Sequence, residues 1–151
     1  MERVAQCHCG SLRAIASGDP DRVYLCHCKA CQRRTGTVMH FGAYYRSTQV
    51  RPEGVDKVYT RSSDSGRTVR FHFCPNCGSS VWWEGGPSPG YRGVAVGCFA
   101  DPQFPAPTYS VYEESMHHWI GLSAGVQDRF EQGRPPGHIP VPATPSARAA
   151  P

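Results

Sequence analysis

Residues 68 to 84 read TVRFHFCPNCGSSVWWE, and this stretch decides the fold. Val69, Phe71 and Phe73 alternate with Arg70 and His72, the two-residue period of a half-buried β-strand. The strand runs straight into Cys74-Pro75-Asn76-Cys77-Gly78, and a second β-prone run, Ser80 to Glu84, follows at once. Pro75 and Gly78 shape a tight turn that brings two thiols together, so the segment predicts a hairpin whose tip grips a metal ion. Trp82 and Trp83 fall on the returning strand, where packing into a core is the plain expectation and stacking on nucleic-acid bases the lesser one.

Working outward from that hairpin, seven of the eight cysteines fall into three clusters: Cys7/Cys9, Cys26/Cys28/Cys31 and Cys74/Cys77. A closed tetrahedral zinc takes four ligands, so seven thiols divide most simply into a saturated site of four and an open site of three. Joining Cys7/Cys9 to Cys74/Cys77 ties the start of the chain to the central hairpin, a long closure that stabilises the fold. Cys26, Cys28 and Cys31 then form the second site, either open to water or substrate or closed by a distant Cys98, His40 or His72. Cys98 lies among small apolar neighbours, where a buried free thiol is the commoner role.

The totals set bounds around this. A chain of 151 residues with 39% hydrophobic content suits one domain, whose core metal crosslinks would reinforce. Gly 16 and Pro 14 disfavour a helical bundle and favour short strands joined by turns. The formal charge of +4 falls to about +1 once seven thiolates and two zinc ions are counted, and the basic residues are scattered, so a nucleic-acid partner is not expected. No apolar run follows Met1-Glu2-Arg3 and none is long enough to span a membrane, so the expected location is the cytoplasm, where thiols bind metals rather than pair as disulfides. The metal-binding domain is expected over residues 1 to 133. Residues 134 to 151, rich in Pro, Ala and Gly, read as a disordered tail.

Other elements follow from patterning. Strands are expected over Cys9 to Ser17, Val23 to Cys28, Thr37 to Tyr45, Asp56 to Thr60, Gly93 to Phe99 and Tyr109 to Glu113, with a short helix over Val126 to Gln132. On the second of these Cys26 and Cys28 would share a face, a turn through Lys29 and Ala30 would swing Cys31 back, and His27 would point away from the metal. His117 and His118, beside Trp119, read as surface or packing residues.

A zinc held by three thiolates is a weak Lewis acid, poorly suited to making hydroxide at neutral pH. By softness it welcomes another sulfur, and a coordinated thiol gives up its proton. The expected substrate is therefore a small thiol.

The motifs CHCG at Cys7 to Gly10, CHCKACQRRTG at Cys26 to Gly36 and FCPNCGSSVWW at Phe73 to Trp83, with VGCFADP from Val96 and SMHHW from Ser115, resemble the glutathione-dependent formaldehyde-activating enzymes, a family sharing its domain type with centromere protein V. The resemblance covers about residues 4 to 122. It implies a mainly β, Mss4-like zinc-binding fold of short antiparallel sheets with metal-tipped hairpins. Two zinc ions per chain are implied, a structural one on Cys7, Cys9, Cys74 and Cys77 and a catalytic one on Cys26, Cys28 and Cys31. The implied activity is carbon-sulfur lyase chemistry, the reversible joining of glutathione, as co-substrate, and formaldehyde. The chain departs from the family pattern at Ala100, where a first of two Asp residues is common, at Ser110 in place of His, and at His118 in place of Pro.

The leading expectation is an enzyme in which the three-cysteine site binds a glutathione-like thiol beside a small aldehyde. Lys29, Arg33 and Arg34 would meet the carboxylates of glutathione, and His27, His72 or water would supply a proton. The alternative is a non-enzymatic zinc module that carries glutathione or docks a protein.

Overall fold

The structure, a computed structural model, describes residues 1–63 and 66–141. It is mainly β, with one short α-helix, and divides into two compact units. The first unit comprises residues 1–21 and 43–101, the second residues 22–42 and 102–151.

In the first unit, β1 (Glu2–Gln6), β2 (Arg13–Ser17) and β5 (Val50–Glu53) form an antiparallel three-stranded sheet in the order β1-β2-β5. Pro52, which falls between the strands expected at Thr37 to Tyr45 and Asp56 to Thr60, lies inside β5. An edge strand tolerates proline because one row of its N–H groups has no ladder to join. The second group of strands is an antiparallel meander of β6 (Lys57–Ser62), β7 (Thr68–Phe73), β8 (Ser80–Gly85) and β9 (Tyr91–Ala95). The hairpin of β7 and β8 is the one read from the sequence, with Phe71 opposite Trp83 and His72 opposite Trp82.

Alternation along β7 misjudges one residue. His72 is buried, its ring stacked on Trp82 at 3.5 Å with its Nδ1 on Asp56. β8 is flanked by strands on either side and covered on both faces, which leaves Trp82 and Trp83 only 4% and 3% exposed. Trp83 occupies the space beside Gly93, where a Cβ would meet the indole at 2.0 Å. Its Nε1 donates to the Tyr44 hydroxyl at 3.3 Å. The chain expected to continue as strand to Phe99 instead leaves β9 in a 3₁₀ turn, Val96–Phe99.

The second unit is built on β3 (Arg22–Cys26), the helix α1 (Lys29–Thr35), β10 (Tyr109–Val111) and β11 (Asp128–Arg129), with β4 (His40–Arg46) running out of it into the first unit. β10 pairs parallel with both β3 and β11, where antiparallel pairing was expected. Parallel pairing requires a long connection between the strands, and residues 27 to 108 supply one. Tyr24 stacks on Tyr109 at 5.6 Å, over a core that includes Val23, Leu25, Val111 and Val126. The helix expected at Val126 to Gln132 is replaced by β11, whose Asp128 accepts from His138 at 3.0 Å. Val141 accepts a hydrogen bond from the buried Thr108 hydroxyl at 2.7 Å. Most of the expected tail, residues 142–151, lies outside the described residues. Among the described residues no helix is long and apolar enough to cross a membrane.

Candidate metal centres

The first unit brings Cys7, Cys9, Cys74 and Cys77 together at the junction of two knuckles of related sequence, CHCGS and CPNCGS. In each, the glycine after the second cysteine has a positive φ, 78° at Gly10 and 76° at Gly78, a conformation that glycine adopts without a Cβ clash. The serine that follows turns back onto sulfur. Ser11 Oγ lies 2.9 Å from Cys9 Sγ and 3.3 Å from Cys74 Sγ. Ser79 Oγ lies 3.4 Å from Cys77 Sγ and accepts from the backbone N–H of His8 at 3.1 Å. Each knuckle thus touches the other through its serine.

The sulfur spacing fits a tetrahedral zinc. A Zn–S bond of about 2.3 Å sets the tetrahedron edge near about 3.8 Å, and Cys9 Sγ stands 3.6 Å from Cys7 Sγ and 3.7 Å from Cys74 Sγ. Cys7, Cys9, Cys74 and Cys77 form no disulfide, so these are contacts between separate thiols. Hydrogen bonding to Ser11 holds the Cys9 thiol down to about 5, and Ser79 holds Cys77 down to about 7, so these two sulfurs favour the thiolate form that a metal needs, whereas Cys74 is pushed up.

The second unit holds Cys26, Cys28 and Cys31 with their sulfur atoms within 4.8 Å of one another. Their placement differs from the expected strand. β3 ends at Cys26, and Cys28 is the N-cap of α1, its Sγ accepting from the Cys31 N–H at 3.3 Å. The corner from strand to helix, rather than a strand face, gathers the three sulfurs.

Their proton chemistry calls for a cation. Hydrogen bonds from Cys26 and Cys31 drive the Cys28 thiol down to about 2. The Cys26 thiol is pushed up by its hydrogen bonds to Cys28 and Cys31 and by burial. Cys31 is pushed up to about 11, because the favourable bond from Cys26 is outweighed by its bond to Cys28 and by burial. One thiolate thus holds two neighbours protonated, and only a positive ion lets all three ionise together. Three thiolates suit a soft or borderline metal such as zinc.

Among the described residues neither Cys98, His40 nor His72 joins this group. Cys98 Sγ donates to the Ser80 carbonyl at 3.6 Å in the first unit, and His72 is engaged there by Asp56 and Trp82. His40 is buried with its ring edge towards Tyr24, and burial, with a smaller effect of the Arg34 charge, holds it down to about 3. His27 is fully buried, and among the described residues neither ring nitrogen has a hydrogen-bond partner. Lys29 and Arg33 are exposed, four residues apart on α1, whereas Arg34 is half-buried and its charge acts on Cys31 and His40. His118 is exposed, and His117 is half-buried against Gln32 and Trp119.

A family model described as glutathione-dependent formaldehyde-activating enzyme matches residues 2–115, well over half the chain. The chain belongs to the glutathione-dependent formaldehyde-activating enzyme family. The match takes in all seven clustered cysteines, so the family and both cysteine groups rest on the same segments. The fold is also similar to the crystal structure of a Rhodobacter sphaeroides protein from a structural-genomics programme. That protein is 19% identical, the alignment covers 84% of this chain and 98% of that one, and the TM-score is 0.51. No curated protein sequence matches the chain significantly.

The sequence reading missed three residues around these family centres. Ser11 and Ser79 were signalled by the repeated Cys-Gly-Ser after each knuckle. Gln32 follows Cys31 on α1, and its amide bonds the His27 carbonyl, the Ser115 carbonyl and the His117 ring. No sequence pattern announces that role, because two of its three partners, Ser115 and His117, lie far along the chain.

Proposed function

We propose that the protein is a cytoplasmic, zinc-dependent carbon-sulfur lyase that forms and cleaves the adduct of glutathione, or a similar thiol, with a small aldehyde such as formaldehyde. The single observation that supports this most is the inequality of the two cysteine groups, four sulfurs against three. In this reading the four-cysteine centre holds a structural zinc and the three-cysteine centre a catalytic one.

Cys26, Cys28 and Cys31 would hold a zinc ion, which would supply a soft position for a thiol as its thiolate. The chain's own residues do the rest. Cys28, placed at the head of α1, fixes the corner from which the thiol is presented. Lys29 and Arg33 stand exposed on one face of the helix, ready for the carboxylates of glutathione. Arg34 sets a positive charge that acts on Cys31. Held beside the aldehyde, the sulfur adds to the carbonyl carbon, and the gain comes chiefly from proximity, since no difficult bond is broken.

The test is magnetisation exchange between free formaldehyde and its glutathione adduct, measured by NMR with the zinc-loaded protein. Exchange well above the uncatalysed rate, lost in Cys28→Ala, is the expected result. Tight glutathione binding with exchange at the background rate would identify a carrier instead.

A further inference from the structure

The addition just described moves a proton, and three imidazoles of the second unit stand near α1 as candidates to carry it: His27, His40 and His117. His27 is 0% exposed and His40 5% exposed, so both rings are sealed from incoming ligands. His117 is half-buried and open on one side. Its orientation is fixed by a neighbouring side chain.

Gln32 does the fixing. Its Nε2 donates to the His27 carbonyl at 2.7 Å and to the Ser115 carbonyl at 3.0 Å. Carbonyl oxygens only accept, so the amide has one possible orientation and Gln32 Oε1 faces His117 Nε2 at 3.1 Å. That oxygen also only accepts. His117 Nε2 therefore carries a hydrogen, and in the neutral ring the lone pair is on Nδ1. From the other side the ring meets Trp119 edge-on at 5.5 Å, within a turn closed by Ile120 N–H on the His117 carbonyl at 3.0 Å.

The anchor leads straight to the three-cysteine corner. Gln32 follows Cys31 directly, and the carbonyl it grips belongs to His27, between Cys26 and Cys28. One side chain thus ties His117 to the backbone on both sides of Cys28.

We propose that His117 is a catalytic residue of this site, moving the proton of the reaction through Nδ1, with Gln32 as its positioning residue. The role rests on the lyase reading above. In the adding direction, Nδ1 takes the proton from the incoming thiol S–H. The sulfur lone pair then forms the C–S bond while the C=O π pair moves onto oxygen. Finally, Nδ1–H returns its proton to that oxygen, giving the hydroxymethyl thioether and the neutral ring. Thiol and aldehyde are consumed one for one, and no redox partner is required.

The test uses the full-length, zinc-loaded protein with glutathione as probe. Calorimetry in two buffers of different ionisation enthalpy, at about pH 7.5 where a free thiol still holds its proton, counts the protons released per glutathione bound. Close to none is expected for the wild type and close to one for His117→Gln, whose amide still donates to Gln32 but cannot take a proton. Equal release from the two proteins overturns the role, and a merely structural His117 would alter affinity without altering the count. Long-range ¹H–¹⁵N spectra of the free protein give a second readout that needs no ligand: the Nε2–H tautomer is expected at His117, lost in Gln32→Met, and an Nδ1–H tautomer in the wild type overturns the proposal. A wild type that does not bind glutathione removes the lyase reading and this role together. One that binds and releases a full proton removes only the role.

Discussion

The two cysteine groups are assembled in opposite ways. The four-cysteine centre draws its sulfurs from two knuckles separated by most of the first unit, each braced by the other's serine. The three-cysteine centre takes all of its sulfurs from one corner between β3 and α1, within six residues. A metal in the first holds together segments that would otherwise drift apart, so its binding energy is folding energy. A metal in the second closes almost no loop. It adds little to the fold, and its chemistry is free to serve a ligand.

Substitutions at each centre would break that contrast if it were false. The largest effect is expected from Cys74→Ser. Structural zinc contributes about 10–16 kcal/mol in small zinc-finger peptides, so this variant is expected to lose its cooperative thermal transition by circular dichroism. A normal melt would remove the structural role. Next comes Cys28→Ala, which is expected to lower zinc content from two ions per chain to one and abolish exchange, while costing only about 1 kcal/mol through loss of the helix cap. Metal analysis beside a urea melt reads both, and unfolding as severe as that of Cys74→Ser would erase the distinction.

Ser11→Ala sharpens the contrast at smaller scale. Its hydroxyl touches Cys7, Cys9 and Cys74 of the four-cysteine group. Outer-shell hydrogen bonds of this kind are worth about 10–100-fold in metal affinity, so chelator competition should show one ion released more readily and the other unchanged. Equal weakening of both would show that the centres are coupled.

The smallest effect is expected from Arg129→Ala, in the framework of the second unit. Burial opposes ionisation of Glu113, but the hydrogen bonds and charge of Arg129, at 2.8–3.0 Å, outweigh it and hold that carboxyl below the ordinary range. Because the folded-state value is depressed, the stabilisation is present above the ordinary carboxylate pKa and is lost as pH falls through the depressed value. Arg129 is half exposed, so solvent screening limits the loss to about 1 kcal/mol or less at neutral pH. Denaturant melts of variant and wild type should converge in acid, and a constant gap would exclude the ion pair as its source.

Much of this architecture was legible in the residues. The hairpin at Thr68 to Glu84 follows from alternation and from a knuckle whose Pro and Gly leave few other conformations, and the division of the cysteines follows from ligand number. What escaped was decided by partners distant in sequence. Cys28 reads as a strand residue until β10 pairs with β3 only as far as Cys26, after which the chain turns into α1. His72 reads as an outward residue on β7, but Trp82 and Asp56 cover that face. His117 reads as a surface residue because nothing local to it shows that Gln32 will reach it. Local pattern reports what a segment prefers, and the cross-chain contacts settle where those preferences yield.

The parallel pairing of β10 with β3 has a consequence for how the protein is made. On the ribosome, Cys26, Cys28 and Cys31 emerge well before Tyr109 to Val111, the segment that completes their sheet. At ordinary elongation rates the interval is on the order of ten seconds. Throughout it the nascent chain displays three closely spaced thiols on an unfinished scaffold, so synthesis, rather than the mature state, is when oxidants and competing metal ions have their best access to the three-cysteine group.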